Sequence, residues 1–268
     1  MKRISIVAIL VLMLLLITLP ASAITGGDLD EEGHPNVGLM AAEIDGVYEW
    51  RCSGTLIAPR VFLTAGHCVG DGATAARVWF ETDLTDNEEY PYGGVTSIEG
   101  APVPHPLYLW GGDDPHDVGV VILADAIDIE PATLPDPDLL AQLKKDRILE
   151  GGYEEGVYFT SVGYGGTLAS WPPPVLEYIR IRQVSESEYV ALTKVHLHLT
   201  QKAVFDESGS CFGDSGGPVF WDDPDGNEII VAVTSSGDGQ CVATGFNYRV
   251  DIPESLDWIE EQVAAAGQ

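Results

Sequence analysis

Gly213-Asp214-Ser215-Gly216-Gly217-Pro218, with Cys211 just before it and the apolar run Val219-Phe220-Trp221 just after, decides how this chain is read. Three glycines around one serine give a backbone that turns tightly and lets another group come close, because no Cβ blocks the approach. The stretch is a nucleophile loop. It also fits the generic Gly-x-Ser-x-Gly pattern, which occurs in unrelated hydrolases. Chain order separates the scaffolds. An α/β-hydrolase carries its acid and then its histidine after the serine, whereas His34, His67, His105, His116, His196 and His198 all precede Ser215. That scaffold is excluded.

The chain has 268 residues, 45% of them hydrophobic, enough to bury one large β domain or two small packed ones. Its beginning stands apart: Lys2-Arg3, an almost wholly apolar run from Ile4 to Leu19, then Pro20 and Ala21-Ser22-Ala23. These are the charged, apolar and cleavage regions of a secretory signal, and the apolar run is short for a membrane span. Residues 1–23 are therefore predicted to be a signal peptide, the mature chain being secreted to an extracellular or periplasmic space without a membrane anchor. An oxidising destination makes the four cysteines two disulfides rather than a metal site, and no Cys-x-x-Cys pair argues otherwise. Forty-two acidic against 13 basic residues leave a formal charge of −29. Such a surface repels nucleic acid and anionic lipid, keeps an exported protein soluble, and has its self-repulsion relieved by salt.

Residues 37–42 and 54–63 are short apolar runs of strand type, the second interrupted at Pro59 as a turn would be. Thr64-Ala65-Gly66-His67-Cys68 follows, and a bridge between Cys52 and Cys68 would fix where His67 points. Strand Arg77–Phe80, an acidic loop Glu81–Glu89 and a further strand up to Ile98 come next. After the proline-rich 102–106, Asp117 opens the buried-strand run Val118–Leu123. Residues 130–140 resemble a linker. The second half repeats the style with strands Val157–Val162 and Val175–Val184, a turn at Trp171-Pro172-Pro173-Pro174, and the alternating run Val195–Leu199. Many short strands at regular spacing argue for a barrel or a sandwich. Residues 252–266 alone read as a long helix, with Trp258, Ile259 and Val263 on one side.

A serine needs a neighbouring base to take its proton, and an imidazole, titrating near neutrality, is suited to that work when a buried acid holds the ring. His67, Asp117 and Ser215 occur in that order, and the words around them resemble the chymotrypsin-like (trypsin-fold) serine peptidases. Thr64–Cys68 is similar to the family's Thr-Ala-Ala-His-Cys, Asp117–Val121 to its Asp-Ile-Ala-Leu-Leu, and Gly213–Pro218 matches throughout. Ile24–Gly27, His105–Tyr108, Ser161–Gly165 and the helix around Trp258 extend the likeness over essentially all of the mature chain. Asp113 and Asp114 lie near Asp117, but only Asp117 opens a buried strand. The other five histidines are read as structural, with His196 and His198 exposed on one strand face.

The resemblance implies an all-β fold of two packed six-stranded antiparallel β-barrels with a C-terminal α-helix, the halves being residues 24–135 and 136–268. It implies a serine endopeptidase acting on protein or peptide substrates as a monomer, without a cofactor. His67 would be the base, Asp117 its orienting carboxylate and Ser215 the nucleophile, with the amides of Gly213 and Ser215 as the oxyanion hole. Asp214 would pair with the ammonium of Ile24, freed by signal cleavage. Cys211 and Cys241 would tie the nucleophile loop to the pocket wall. Gly209, six residues before the serine, stands where basic-specific members carry an aspartate. With Gly245, Ser235 and Ser236 it would leave an open slot for apolar or aromatic side chains. The wall segment 233–237 departs from the family's Ser-Trp-Gly, with its register open by one residue and its tryptophan missing. That departure is the feature favouring the alternative, a catalytically weak peptidase-like binding protein. The acidic loop falls near where some relatives bind calcium, through Glu81, Asp83, Asp86, Glu88 and Glu89 here.

Overall fold

The computed structural model describes residues 27–70, 72–150, 156–170, 175–201 and 208–267. The segment predicted to be a signal peptide, Ile24 and the turn predicted at 171–174 lie outside the described residues. Six antiparallel strands close the first barrel: β2 (Val37–Ile44), β3 (Val47–Ala58), β4 (Val61–Thr64), β5 (Ala75–Trp79), β6 (Ile98–Pro104) and β7 (Gly119–Leu123), in the order β2-β3-β4-β7-β6-β5. The second consists of β8 (Tyr158–Gly163), β11 (Gln183–Leu192), β12 (His196–Thr200), β13 (Pro218–Asp222), β14 (Glu228–Gly237) and β15 (Thr244–Arg249). Its ring runs β11-β12-β15-β14-β13-β8 and closes where β8 pairs with β11. The two-residue strand β1 (Asp28–Leu29) adds to β11, and β9 (Gly166–Ser170) and β10 (Val175–Tyr178) form a hairpin.

Strands covered on both faces have no polar side, which is why these segments read as unbroken apolar runs. In β4, Phe62 points into the first barrel while Val61 and Leu63 join a cluster shared with Val162, Phe220, Val233 and Tyr248 of the second. β7 divides in the same way, with Val121 inside and Val120 at the interface. The second barrel's interior holds Phe159, Leu197, Leu199, Val219 and Val231, closed by Leu140 and Leu143 of helix α2 (Leu139–Lys145). The terminal helix α3 (Pro253–Ala266) lays Trp258 and Ile259 on the shared cluster.

The elements depart from the sequence reading at four places. The strand expected to end at Ile98 begins there and runs through Pro102 and Pro104. Both prolines lie beyond the last β5 pair at Gly100, so only the β7 side of β6 is bonded there and an absent N–H is tolerated. Val175–Val184 is two strands, interrupted at 179–182, and β11 extends on to Leu192. Helix α2 lies partly in the segment read as linker. His196 and His198 share a face but are half-buried, the His198 ring meeting Phe246 edge-on at 4.7 Å.

Candidate active site

His67 sits in the first turn of the short helix α1 (Gly66–Val69), which follows β4 directly, and Cys68 beside it is bonded to Cys52 of β3. The family's second alanine is Gly66 here for a steric reason. A Cβ at Gly66 would lie 2.7 Å from the Tyr108 ring and one at Gly70 2.8 Å from it, so the two glycines seat that ring on the helix. Asp117 enters β7 from a fully buried position. One of its oxygens accepts from the His67 amide at 2.8 Å, and both lie 3.0–3.1 Å from His67 Nδ1. Ser235 Oγ donates to the same carboxylate at 2.6 Å. Burial alone would raise the Asp117 pKa, but the bonds from His67 and Ser235 outweigh it and hold the group below its ordinary value. An ionised acid that receives an Nδ1–H leaves Nε2 as the ring's free base nitrogen. Ser215 and His67 line one cavity of about 530 Å³.

The loop carrying Ser215 is held from the opposite barrel. Ser53 of β3 donates its amide to the Ser215 carbonyl at 2.8 Å and its hydroxyl to the Gly213 carbonyl at 2.9 Å, and accepts from the Tyr164 amide at 2.9 Å. Gly216 has φ +79° and its Cβ would fall 2.0 Å from Thr64 Oγ1; Gly213 has φ +98° with Gly165 Cα 3.0 Å from where its Cβ would be. Both demand glycine. Among the described residues no acceptor takes the amide hydrogens of Gly213 or Ser215.

Asp214 is turned away from the cavity. Its carboxylate accepts from the Gly165 amide at 2.7 Å and the Cys211 amide at 2.8 Å, in a slot that a Cβ at Gly163 or Gly165 would fill. Burial pushes its pKa up to about 7 against those two bonds and the nearby Arg51. Cys211 is bonded to Cys241, joining the loop to the turn between β14 and β15.

The pocket differs from the sequence expectation. Ser235 and Ser236 line the cavity, and Ser235 also reaches back to Asp117. Gly209 and Gly245 do not leave an open apolar slot. The Gln201 side chain fills the space between them, with Cγ 2.5 Å from where a Gly209 Cβ would be and Nε2 2.9 Å from a Gly245 Cβ. Sequence reasoning missed Gln201, whose only signal was a polar residue ending an apolar strand. It also missed Ser53, signalled by the Cys52-Ser53-Gly54 step, and Trp110, which meets the His67 ring edge-on at 5.3 Å.

The carboxylates of 81–89 do not come together as a group of three within 4.8 Å of one another. Asp83 Oδ1 caps its own turn through the Thr85 amide and hydroxyl. Among the described residues the only three potential ligand groups within 4.8 Å of one another are Cys52, His67 and Cys68, and two of these are a disulfide.

Comparison with known proteins gives one consistent result. The family model described as Trypsin matches residues 32–259. A lectizyme from Glossina austeni is 25% identical over 224 residues, 79% of this chain and 77% of its own. The CLIP domain-containing serine protease B15 of Anopheles gambiae is 27% identical over 233 residues, of whose length the chain spans 60%. The solved structure of HL collagenase superposes with a TM-score of 0.66 at 20% identity, covering 90% of this chain and 99% of that one. That superposition bears on the fold alone.

Proposed function

This chain belongs to the trypsin family of serine-type endopeptidases, and from that premise we propose that it is exported and hydrolyses peptide bonds through an acyl-enzyme on Ser215. The observation that carries the reading is the buried Asp117 carboxylate fixed on His67 Nδ1, with Ser215 on the same cavity as that ring. His67 Nε2 takes the Ser215 proton as Oγ bonds to the scissile carbonyl carbon. The same nitrogen returns the proton to the leaving amine as the C–N bond breaks, and a water then repeats the exchange to release the acid. The amides of Gly213 and Ser215 receive the oxyanion, each such donor contributing roughly 3 kcal/mol in serine hydrolases.

Signal cleavage after Ala23 would free the ammonium of Ile24. Asp214, buried with two N–H donors and an elevated pKa, is the group such a cation would ionise. No cofactor enters the scheme, and the enzyme works as a monomer on protein and peptide substrates. With Gly209 in the aspartate's place, basic side chains lack a counter-ion.

The test is covalent. A fluorophosphonate probe labels the processed protein at Ser215, and Ser215→Ala abolishes both labelling and peptide hydrolysis. Processed protein that stays unlabelled is a binding scaffold, and the proposal fails. Sequencing of the secreted protein from Ile24 supports the activation step; a start elsewhere removes it.

A further inference from the structure

Gln201 follows β12 and is only 2% exposed, yet its side chain lines the cavity that holds Ser215. Its orientation is determined by chemistry. Nε2 faces the Ser210 carbonyl, which can only accept, so the NH2 end of the amide must be there. The same nitrogen donates to Ser210 Oγ at 3.2 Å, which leaves the Ser210 hydroxyl hydrogen free to donate elsewhere. Gln201 Oε1 is consequently turned towards Gly237 on the β14 wall, 3.3 Å from where a Cβ of that glycine would be. Among the described residues no donor reaches it. A buried acceptor without a partner is unfavourable until a donor arrives.

We propose that Gln201 and Ser210 form an amide-reading floor, and that the substrate residue before the scissile bond carries a primary carboxamide, glutamine or asparagine. This rests on the peptidase reading above and narrows it to a substrate class. The floor holds one acceptor, Gln201 Oε1, which is buried so that a bound side chain reaches it by a small shift of the amide, and one donor, the Ser210 hydroxyl. A carboxamide presents the complementary pair, an NH2 and a C=O. An apolar side chain would seal Oε1 away from any donor. A cationic one finds no carboxylate on the floor, where Asp214 is turned away and bonded to the Gly165 and Cys211 amides. Asp238 lines the cavity elsewhere, beyond β14, and the lysine peptide tests whether it attracts a cation.

The experiment uses the processed enzyme and fluorogenic peptides identical but for the residue before the cut: glutamine, methionine, phenylalanine, lysine and glutamate. Methionine matches glutamine in length and lacks only the polar end. kcat/KM for glutamine exceeds that for methionine by about 10- to 100-fold, the range of a buried hydrogen bond made or missed. In Gln201→Met the margin shrinks to within about threefold, and in Ser210→Ala it falls by about half on a logarithmic scale. Should the Gln201 variant fail to fold, the wild-type series decides by itself. Enzyme that labels with fluorophosphonate but cleaves the methionine, phenylalanine or lysine peptide as fast as the glutamine one, or cleaves none, overturns the floor while the serine mechanism stands. Enzyme that neither labels nor cleaves loses both.

Discussion

Replacing Ser235 by alanine tests whether Asp117 is held as an ionised acid by a group from the other barrel. The bond removed is 2.6 Å long, between a serine 5% exposed and a carboxylate 0% exposed. Buried hydrogen bonds to charged groups contribute about 1.5–3 kcal/mol. The variant should therefore lose about 2 kcal/mol near neutral pH, or roughly 4–8 °C in Tm for a chain of this size. If about 1.4 kcal/mol of that is also lost in aiming the His67 ring, kcat/KM falls about tenfold. Acid behaviour supplies the more discriminating readout. A carboxylate whose folded pKa lies below its ordinary 3.8 contributes stability that is complete above that value and disappears as pH falls through the folded pKa. Without Ser235 that folded pKa rises towards 3.8, so this group's loss on acidification still sets in near 3.8 but is smaller and ends at higher pH, on top of the stability already missing at neutral pH. Acid titration followed by circular dichroism, beside kcat/KM at neutral pH, measures both effects. An unchanged acid midpoint together with kcat/KM within twofold of wild type would refute the reasoning.

Gly216→Ala forces a methyl to 2.0 Å from Thr64 Oγ1 at φ +79°, and should cost more than about 2 kcal/mol and nearly all hydrolysis; a Tm within 2 °C of wild type contradicts it. Replacing Cys211 and Cys241 together opens a loop of 30 residues and should lower stability by about 3–4 kcal/mol, read by chemical denaturation. Asp214 binds its proton more tightly folded than unfolded. In a form extended before Ile24 this group's contribution should therefore be complete below about pH 4 and be lost from there up to its folded pKa of about 7, whereas the form starting at Ile24 should not show that loss. Thermal melts of the two forms across that range decide. A chelator should leave Tm unchanged, because the carboxylates of loop 81–89 do not gather; a drop of several degrees would locate a cation that the geometry does not suggest.

The reacting groups were legible because each is announced by chemistry confined to a few consecutive residues: glycines around Ser215, a cysteine beside His67, an acid opening an apolar strand at Asp117. The two closed barrels were less directly visible. Periodicity gave short strands, and only the family resemblance turned them into this architecture. What escaped was set by partners distant in the chain. Ser53 matters through carbonyls at Gly213 and Ser215, and nothing around it in the sequence names them. Gln201 reaches the pocket because Gly209, Gly237 and Gly245 leave it room, so the two glycines that suggested an empty slot, Gly209 and Gly245, instead accommodate a side chain. The prolines of β6 misled for a related reason. Whether a missing N–H matters depends on which strand lies alongside, and register is not written locally.

The apolar rows of β4 and β7 that face the second barrel have a consequence for how the molecule can be divided. Severed between Leu123 and Tyr158, each fragment would carry into water a greasy stripe meant for its counterpart, and neither would own a complete set of reacting groups. Half-molecules should cling to one another or clump, and enzymatic turnover should return only when both are refolded in the same tube.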